Sequence, residues 1–408
     1  MTEQRKLLVH VGTPKTGTSF VQDLLFRHRT SLAAHGILYP ADRFDDHFLA
    51  ALDLMELPWG GLEKEAVGAW DRLAAQVRDW QGTSIISHEI LARASRSQVR
   101  RAFDSFGDVE VHVVLSARDL VRQIPAEWQE NVKHRRTVTY ADFLRKITDP
   151  RRRGKLASWF WAVQEVPDIL DRWGSTIPPE RVHLVTVPKP GAPRNLLWER
   201  FAGVFGIDPR EFEPESTRSN PSLGVPESAL IRRINARVND GVLANHHYRA
   251  LVRELLAHRT LSTRTGSARL ALPPDVRSWA VDLSETWIAA LAARGYDVVG
   301  TLEDLRPDAD AATFRDPDAP NEKRVGDAAV QGIVALLSET ARLREVEDSL
   351  RAELEQARRE RDEAWAAAGG RLVYRTKQRL VRLADDSAAG RAVHAGYRRV
   401  RGRSSRSA

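Results

Sequence analysis

The chain has 408 residues, 42% of them apolar, and a formal charge of +7 at neutral pH. That length can bury one large core with appendages, and the absence of cysteine excludes a disulfide, a thiolate nucleophile and a cysteine zinc site. The charge is uneven: residues 371–408 hold eleven Lys/Arg against two Asp, so the rest sums to about −2 and the basic pI belongs to a tail rather than to a nucleic-acid-binding fold.

The twelve histidines show no metal-type spacing, and His246–His247 reads as a surface pair. No apolar run reaches the length of a membrane span. The first strand begins within six residues, with no signal-peptide apolar region before it. The expectation is a cytoplasmic protein with no metal and no nucleic-acid partner.

In chain order, 7–11 reads as a buried strand, 12–17 as a glycine turn and 18–25 as a helix, with Phe20, Val21, Leu24 and Leu25 at helical spacing. Residues 35–40 read as a short strand or turn, and 48–55 and 63–80 as helices. A second strand covers 82–87 and ends at His88–Glu89; a helix covers 98–106. The β-branched run 109–116 predicts a third strand. Arg118–Asp119 follow it, and then a helix that Pro125 should interrupt or reset. Helices are expected over 140–147, 159–173, 196–205, 228–242, 248–256 and 276–294, and a fourth strand over 182–187. Strands alternating with helices predict an α/β fold, a parallel sheet with helices on both faces. Ligands of such sheets sit beyond the C-terminal strand ends, where the glycine turn, His88–Glu89 and Arg118 all fall.

The domain thus predicted covers 1–305, followed by a Pro-, Asp- and Ala-rich linker over 306–325. Residues 326–368 predict one long charged helix. Leu336, Leu343, Leu350, Ala357 and Ala364 recur at sevens, with Ile333 and Leu354 in the companion register, but Thr340, Glu347 and Arg361 share that register. Coiled-coil homodimerisation and a lone solvated helix both fit. The tail 369–408 clusters Arg375, Arg379 and Arg382 at helical spacing. It suits either an anionic membrane surface, making the protein peripheral at the inner face, or a soluble basic extension.

Strand, glycine turn and helix frame a phosphate-binding loop, in which backbone N–H groups and a helix N-terminus hold an anion. The loop departs from GxxxxGK[ST]. Thr18 occupies the lysine slot, Ser19 the hydroxyl slot, and the lysine is inside the turn as Lys15. The alternative is a turn that only joins strand to helix. This arrangement, VGTPKTGTS after a strand, resembles the 5′-phosphosulfate loop of bacterial sulfotransferases that use 3′-phosphoadenosine-5′-phosphosulfate (PAPS). SARDLVR at 116–122 resembles the same family's 3′-phosphate segment, and 185–188 more weakly its late segment behind the donor site.

The resemblance covers roughly 5–300 and implies a P-loop-like sulfotransferase fold and a PAPS donor. It implies that Gly12, Thr13, Pro14, Lys15, Thr16, Gly17, Thr18 and Ser19 cradle the 5′-phosphosulfate and that Arg118 grips the 3′-phosphate. The family's partner serine, eight residues on, is Ala126 here. Arg122, Gln129 or Lys133 are candidates to replace it.

Transfer to a hydroxyl or amine acceptor, carbohydrate or lipid-linked, asks for a cation at the leaving oxygen, which Lys15 can supply. It also asks for a base, Glu89 or His88. His88 and Glu89 have a plainer reading as a helix N-terminal pair, and His10 reads as a core histidine. Two rival classes are a P-loop kinase or NTPase, which would need ATP and Mg²⁺, and a non-catalytic binding or scaffold protein on a sulfotransferase-like frame.

Overall fold

Short β-branched runs bounded by glycine and turn residues form the strands. The computed structural model describes residues 5–212, 222–238, 241–308, 312–367 and 371–386. Its strands are β1 (Lys6–His10), β2 (Ile37–Leu38), β3 (Thr83–Ser87), β4 (Glu110–Ala117), β5 (Val182–Thr186) and β6 (Asp297–Val299). All are parallel, in the order β2-β3-β1-β4-β5-β6, so β1 lies between β3 and β4 at the centre. Four of these strands are the ones expected, and 37–38, open between strand and turn, is a strand. β6 is additional; its three residues are too few to show a period.

The pleat sorts the strand side chains onto two faces. Leu8, Ile85, Val114 and Val185 share one face, under α1 (Thr18–Arg27) and, later in the chain, α10 (Leu196–Phe205). Leu7, Val9, Val113, Leu115 and Leu184 point the other way and are fully buried. Helices therefore cover both faces, as parallel sheets require.

Between strands the chain forms α2 (Arg29–Ala34), α3 (Asp46–Met55), α4 (Ala69–Asp79) and α5 (Arg96–Asp104). Helix α4 starts later than expected: Gly68 is left-handed and a separate turn, Leu62–Lys64, precedes it.

After β4 comes α6 (Leu120–Lys133), which runs through Pro125 without a break, a correction to the expected interruption. The missing proline N–H costs one bond, while the Asp119 carboxylate accepts from Arg122 N–H and Trp128 is fully buried, anchoring both halves.

Then follow α7 (Tyr140–Thr148), α8 (Lys155–Gln164) and α9 (Val166–Gly174). The single helix expected over 159–173 is two, because Pro167 lacks the N–H that would continue α8. Helix α11 (Val225–Val238) and α12 (Asn245–Tyr248) precede a π-helical segment, Arg249–Thr260, and α13 (Pro274–Ala292) precedes β6.

The long helix is present as α14 (Glu322–Ala367), followed by α15 (Arg371–Asp386). Contacts gather the chain into two units, Met1–Ile333 and Val334–Ala408. Residues 312–325, expected as linker, include Asp318, whose carboxylate accepts from Tyr140 and Ala141 N–H at the start of α7 and pairs with Arg232. In the second unit Leu343, Leu350 and Leu354 of the heptad are about half exposed. The tail from 387 on lies outside the described residues. Among the described residues no helix is long and apolar enough to cross a membrane.

Candidate functional site

The turn after β1 is shaped by backbone conformations that few residues tolerate. Gly12, Lys15 and Gly17 have φ of +125°, +68° and +91°. Gly12 also lies so close to the segment after β3 that a Cβ there would meet the Glu89 carbonyl oxygen at 2.9 Å. At Gly17 a Cβ would meet Leu197 at 2.6 Å. Thr13 N–H bonds to the Ser116 carbonyl at 2.9 Å, tying the loop to β4. Helix α1 begins at Thr18 with Gly17 as its N-cap and no side-chain cap. The N–H groups of residues 15–19 meet no acceptor among the described residues. Successive free N–H groups at a helix N-terminus form an anion-binding concavity.

The hydroxyls expected to line it divide. Thr16 and Thr18 are buried, and the Thr16 hydroxyl bonds to the Thr13 carbonyl at 2.6 Å and to Ser116 Oγ. Thr16 therefore braces the loop from inside, because the left-handed Lys15 turns the next side chain toward β4; only Ser19 is exposed. His10, just before the loop, is fully buried between Ser87 Oγ at 2.8 Å and Ser116 Oγ at 3.2 Å. Burial pushes its pKa down to about 4, so it is a neutral core histidine.

After β3, His88 caps a short 3₁₀ turn, Glu89–Arg93, its Nδ1 accepting from Ile90 N–H at 3.3 Å. Glu89 turns toward α1, and its carboxylate accepts from Gln22 Nε2 at 2.9 Å. Burial works to raise the Glu89 pKa, but His88, the Gln22 bond and Lys15 together hold it below the ordinary carboxylate value. Burial likewise depresses His88. Beside this pair lie half-buried rings: Phe48 is 5.1 Å from His88 and 5.5 Å from Trp59, which is 5.8 Å from Trp159.

After β4, Arg118 leads into α6. Its guanidinium donates to Gln123 Oε1 at 2.9 Å and to the Arg122 carbonyl at 3.1 Å, and burial lowers its pKa to about 10. Ala126 is half-buried on the same helix. The charge partner of Lys15 comes from here: Nζ lies 2.5 Å from Glu130 Oε2. The other Glu130 oxygen takes His134 at 3.0 Å and Arg253 at 3.2 Å. Burial opposes ionisation of Glu130, yet Lys15, His134 and Lys133 hold its pKa well below the ordinary value.

Beneath the loop, Gln123 Nε2 donates to the Pro14 carbonyl and to Gln164 Oε1, and Gln164 donates to Glu127 at 3.3 Å. Glu127 is buried, which pushes its pKa up to about 7 against the pull of Lys15.

The structure thus gathers the loop residues Gly12–Ser19, His88, Glu89 and Arg118 on the rim formed by β1, β3 and β4. Sequence reasoning missed Gln22, Ser116, Gln123, Glu127, Glu130 and Gln164. The signal for three of them was there: Gln123, Glu127, Glu130 and His134 recur at helical spacing, one polar stripe along α6. The stripe is continuous because α6 runs through Pro125. Among the described residues no three His, Asp or Glu side chains are grouped to hold a metal ion. No protein family, curated protein or solved structure matches this chain.

Proposed function

We propose that this protein is a PAPS-dependent sulfotransferase with a P-loop-like sulfotransferase fold, acting on a hydroxyl or amine acceptor. The observation that carries the reading is the row of N–H groups over residues 15–19 with no acceptor among the described residues, beside a lysine inside the turn and a carboxylate one strand away. Such a cradle accepts a 5′-phosphosulfate through backbone dipoles. The donor supplies an activated sulfuryl group. The acceptor oxygen or nitrogen attacks sulfur, the bond from sulfur to the 5′-phosphate oxygen breaks, and the acceptor proton passes to Glu89. The nucleotide leaves as adenosine 3′,5′-bisphosphate.

Lys15 neutralises charge growing on the leaving oxygen, so its pairing with Glu130 is a resting arrangement that donor binding must share or displace. Glu89 suits the base because it is held ionised, accepting from Gln22 and from its own backbone N–H. His88 suits it less, since Nδ1 serves the cap. Arg118 is the cation for the 3′-phosphate, at the end of the strand beside the loop strand. The half-buried rings of Phe48, Trp59 and Trp159 next to His88 offer an acceptor a flat apolar wall.

Calorimetric titration with adenosine 3′,5′-bisphosphate tests the reading. Binding at micromolar concentration without a divalent cation, and at least tenfold tighter than ATP, is the expected result. Tighter binding of ATP with Mg²⁺ would favour a P-loop kinase or NTPase. Nucleotide binding with no transfer to any hydroxyl or amine in an acceptor panel would favour a binding or scaffold protein.

A further inference from the structure

Several cations crowd one carboxylate beside the loop: Lys15, Lys133 and Arg253 all neighbour Glu130. Lys133, the last residue of α6, is only 7% exposed, yet its ammonium makes no hydrogen bond or ion pair among the described residues. The stem of Lys133 is packed away while its ammonium keeps no protein acceptor among the described residues, a free charge at the end of a largely buried side chain. Its electrostatic neighbours are Glu130 and Glu254 on one side and Lys15 and Arg253 on the other. Glu130 is already shared among Lys15, His134 and Arg253, and the Nε of Arg253 is itself buried without an acceptor. Burial, reinforced by Lys15 and Arg253, lowers the Lys133 pKa to about 8.

We propose that Lys133, with Arg253 beside Glu130, forms a second oxyanion subsite, for a sulfate, phosphate or carboxylate group other than the one held in the loop. Lysine serves as the point charge and arginine as the fork that such groups need. Two sources could supply the oxyanion: an anionic substituent on the acceptor, or the second phosphate of the nucleotide. The fold favours the acceptor. Arg118 and Lys133 lie at opposite ends of α6, roughly 20 Å apart at about 1.5 Å per residue, and one nucleoside is far shorter than that. A nucleotide that reaches from the loop to Arg118 leaves Lys133 free. The acceptor would then be an acidic molecule, such as a carboxylated or already sulfated sugar. This assignment to the acceptor rests on the sulfotransferase reading; the subsite itself does not.

The test titrates inorganic sulfate into the full-length protein, alone and saturated with adenosine 3′,5′-bisphosphate, for the wild type, Lys133→Met and Lys133→Arg. Sulfate should bind in both conditions, and in the saturated protein, where the bisphosphate fills the loop, it should bind at least tenfold more weakly in Lys133→Met and within about threefold of wild type in Lys133→Arg. That result supports the subsite and an acidic acceptor. If saturation abolishes sulfate binding, and Lys133→Met weakens the bisphosphate tenfold but not adenosine 5′-phosphate, the subsite stands and its oxyanion is the donor's. Equal sulfate and bisphosphate affinities in wild type and Lys133→Met overturn the proposal. A protein that binds no bisphosphate refutes the sulfotransferase reading, while the sulfate comparison still decides the subsite. Should Lys133→Met fail to reproduce the wild-type melting curve, Lys133→Gln carries the same comparison.

Discussion

The ammonium of Lys15 lies 2.5 Å from a carboxylate oxygen of Glu130, a residue 115 positions away on the helix that follows β4. The pair joins the loop to α6, and both side chains are more than half buried. It also means that an incoming anion competes with Glu130 for the lysine. Lys15→Ala should reduce transfer by far more than tenfold, a barrier change above about 1.4 kcal/mol, with little change in melting temperature. A variant retaining a tenth of wild-type turnover removes Lys15 from the leaving-group role. Glu130→Gln should tighten adenosine 3′,5′-bisphosphate several-fold, because a competing anion is gone. Unchanged or weaker binding would show that Glu130 is no competitor.

Arg118→Ala should weaken adenosine 3′,5′-bisphosphate much more than adenosine 5′-phosphate. The guanidinium already spends two donors on Gln123 and the Arg122 carbonyl, which fixes its plane and leaves its remaining N–H groups for the ligand. Calorimetry with the two nucleotides reads the difference, and equal losses would take Arg118 out of the 3′-phosphate role.

Glu89→Gln keeps the acceptor for Gln22 and removes the ionisable group. Turnover should fall about 10²-fold or more if Glu89 is the base. The pH profile separates it from His88. Glu89 is held below the ordinary carboxylate value, so kcat/KM should stay high down to below about pH 4.5, limited only by stability. A profile whose acid limb moves with His88→Ala and not with Glu89→Gln would exchange the two roles.

Glu127 makes stability depend on pH in the opposite sense to most carboxylates. Its folded pKa is about 7, raised by burial above the ordinary 4.5, so the native chain holds a proton that the unfolded chain has released. That proton stabilises the fold at low pH, and the contribution is lost as pH rises through about 7, at about 1.4 kcal/mol per unit of separation. Glu127→Gln should flatten this loss, raising the melting temperature relative to wild type at about pH 8 more than at about pH 5. An identical difference at both pH values would show that Glu127 titrates normally.

Helix α15 exposes Arg375, Lys377, Arg379 and Arg382 together with Leu380 and Val381. A basic helix with exposed apolar side chains binds anionic membranes at about 1 kcal/mol per basic residue near the surface. Full-length protein should sediment with anionic vesicles at low salt, and a chain ending at Gly370 should not. If both stay in the supernatant, the tail is a solubilising or partner-binding extension.

By itself the sequence determined the frame. Buried strands announce themselves as apolar β-branched runs, and the 12–19 turn is legible as a candidate phosphate loop because its lysine, glycines and hydroxyls lie close along the chain. The long helix and its flawed seam were equally local, since period and charge are read along the chain. Tertiary structure decided what surrounds Lys15. Glu130, Glu127, Gln123 and Gln164 come from α6 and α8, more than a hundred residues from the loop, and no spacing rule reaches that far. The same folding turned Thr16 inward and ran α6 through Pro125, because packing of Trp128 and the Asp119 cap outweighed one absent hydrogen bond. It also left the Lys133 ammonium without an acceptor among the described residues, close to Arg253 of the segment 249–260.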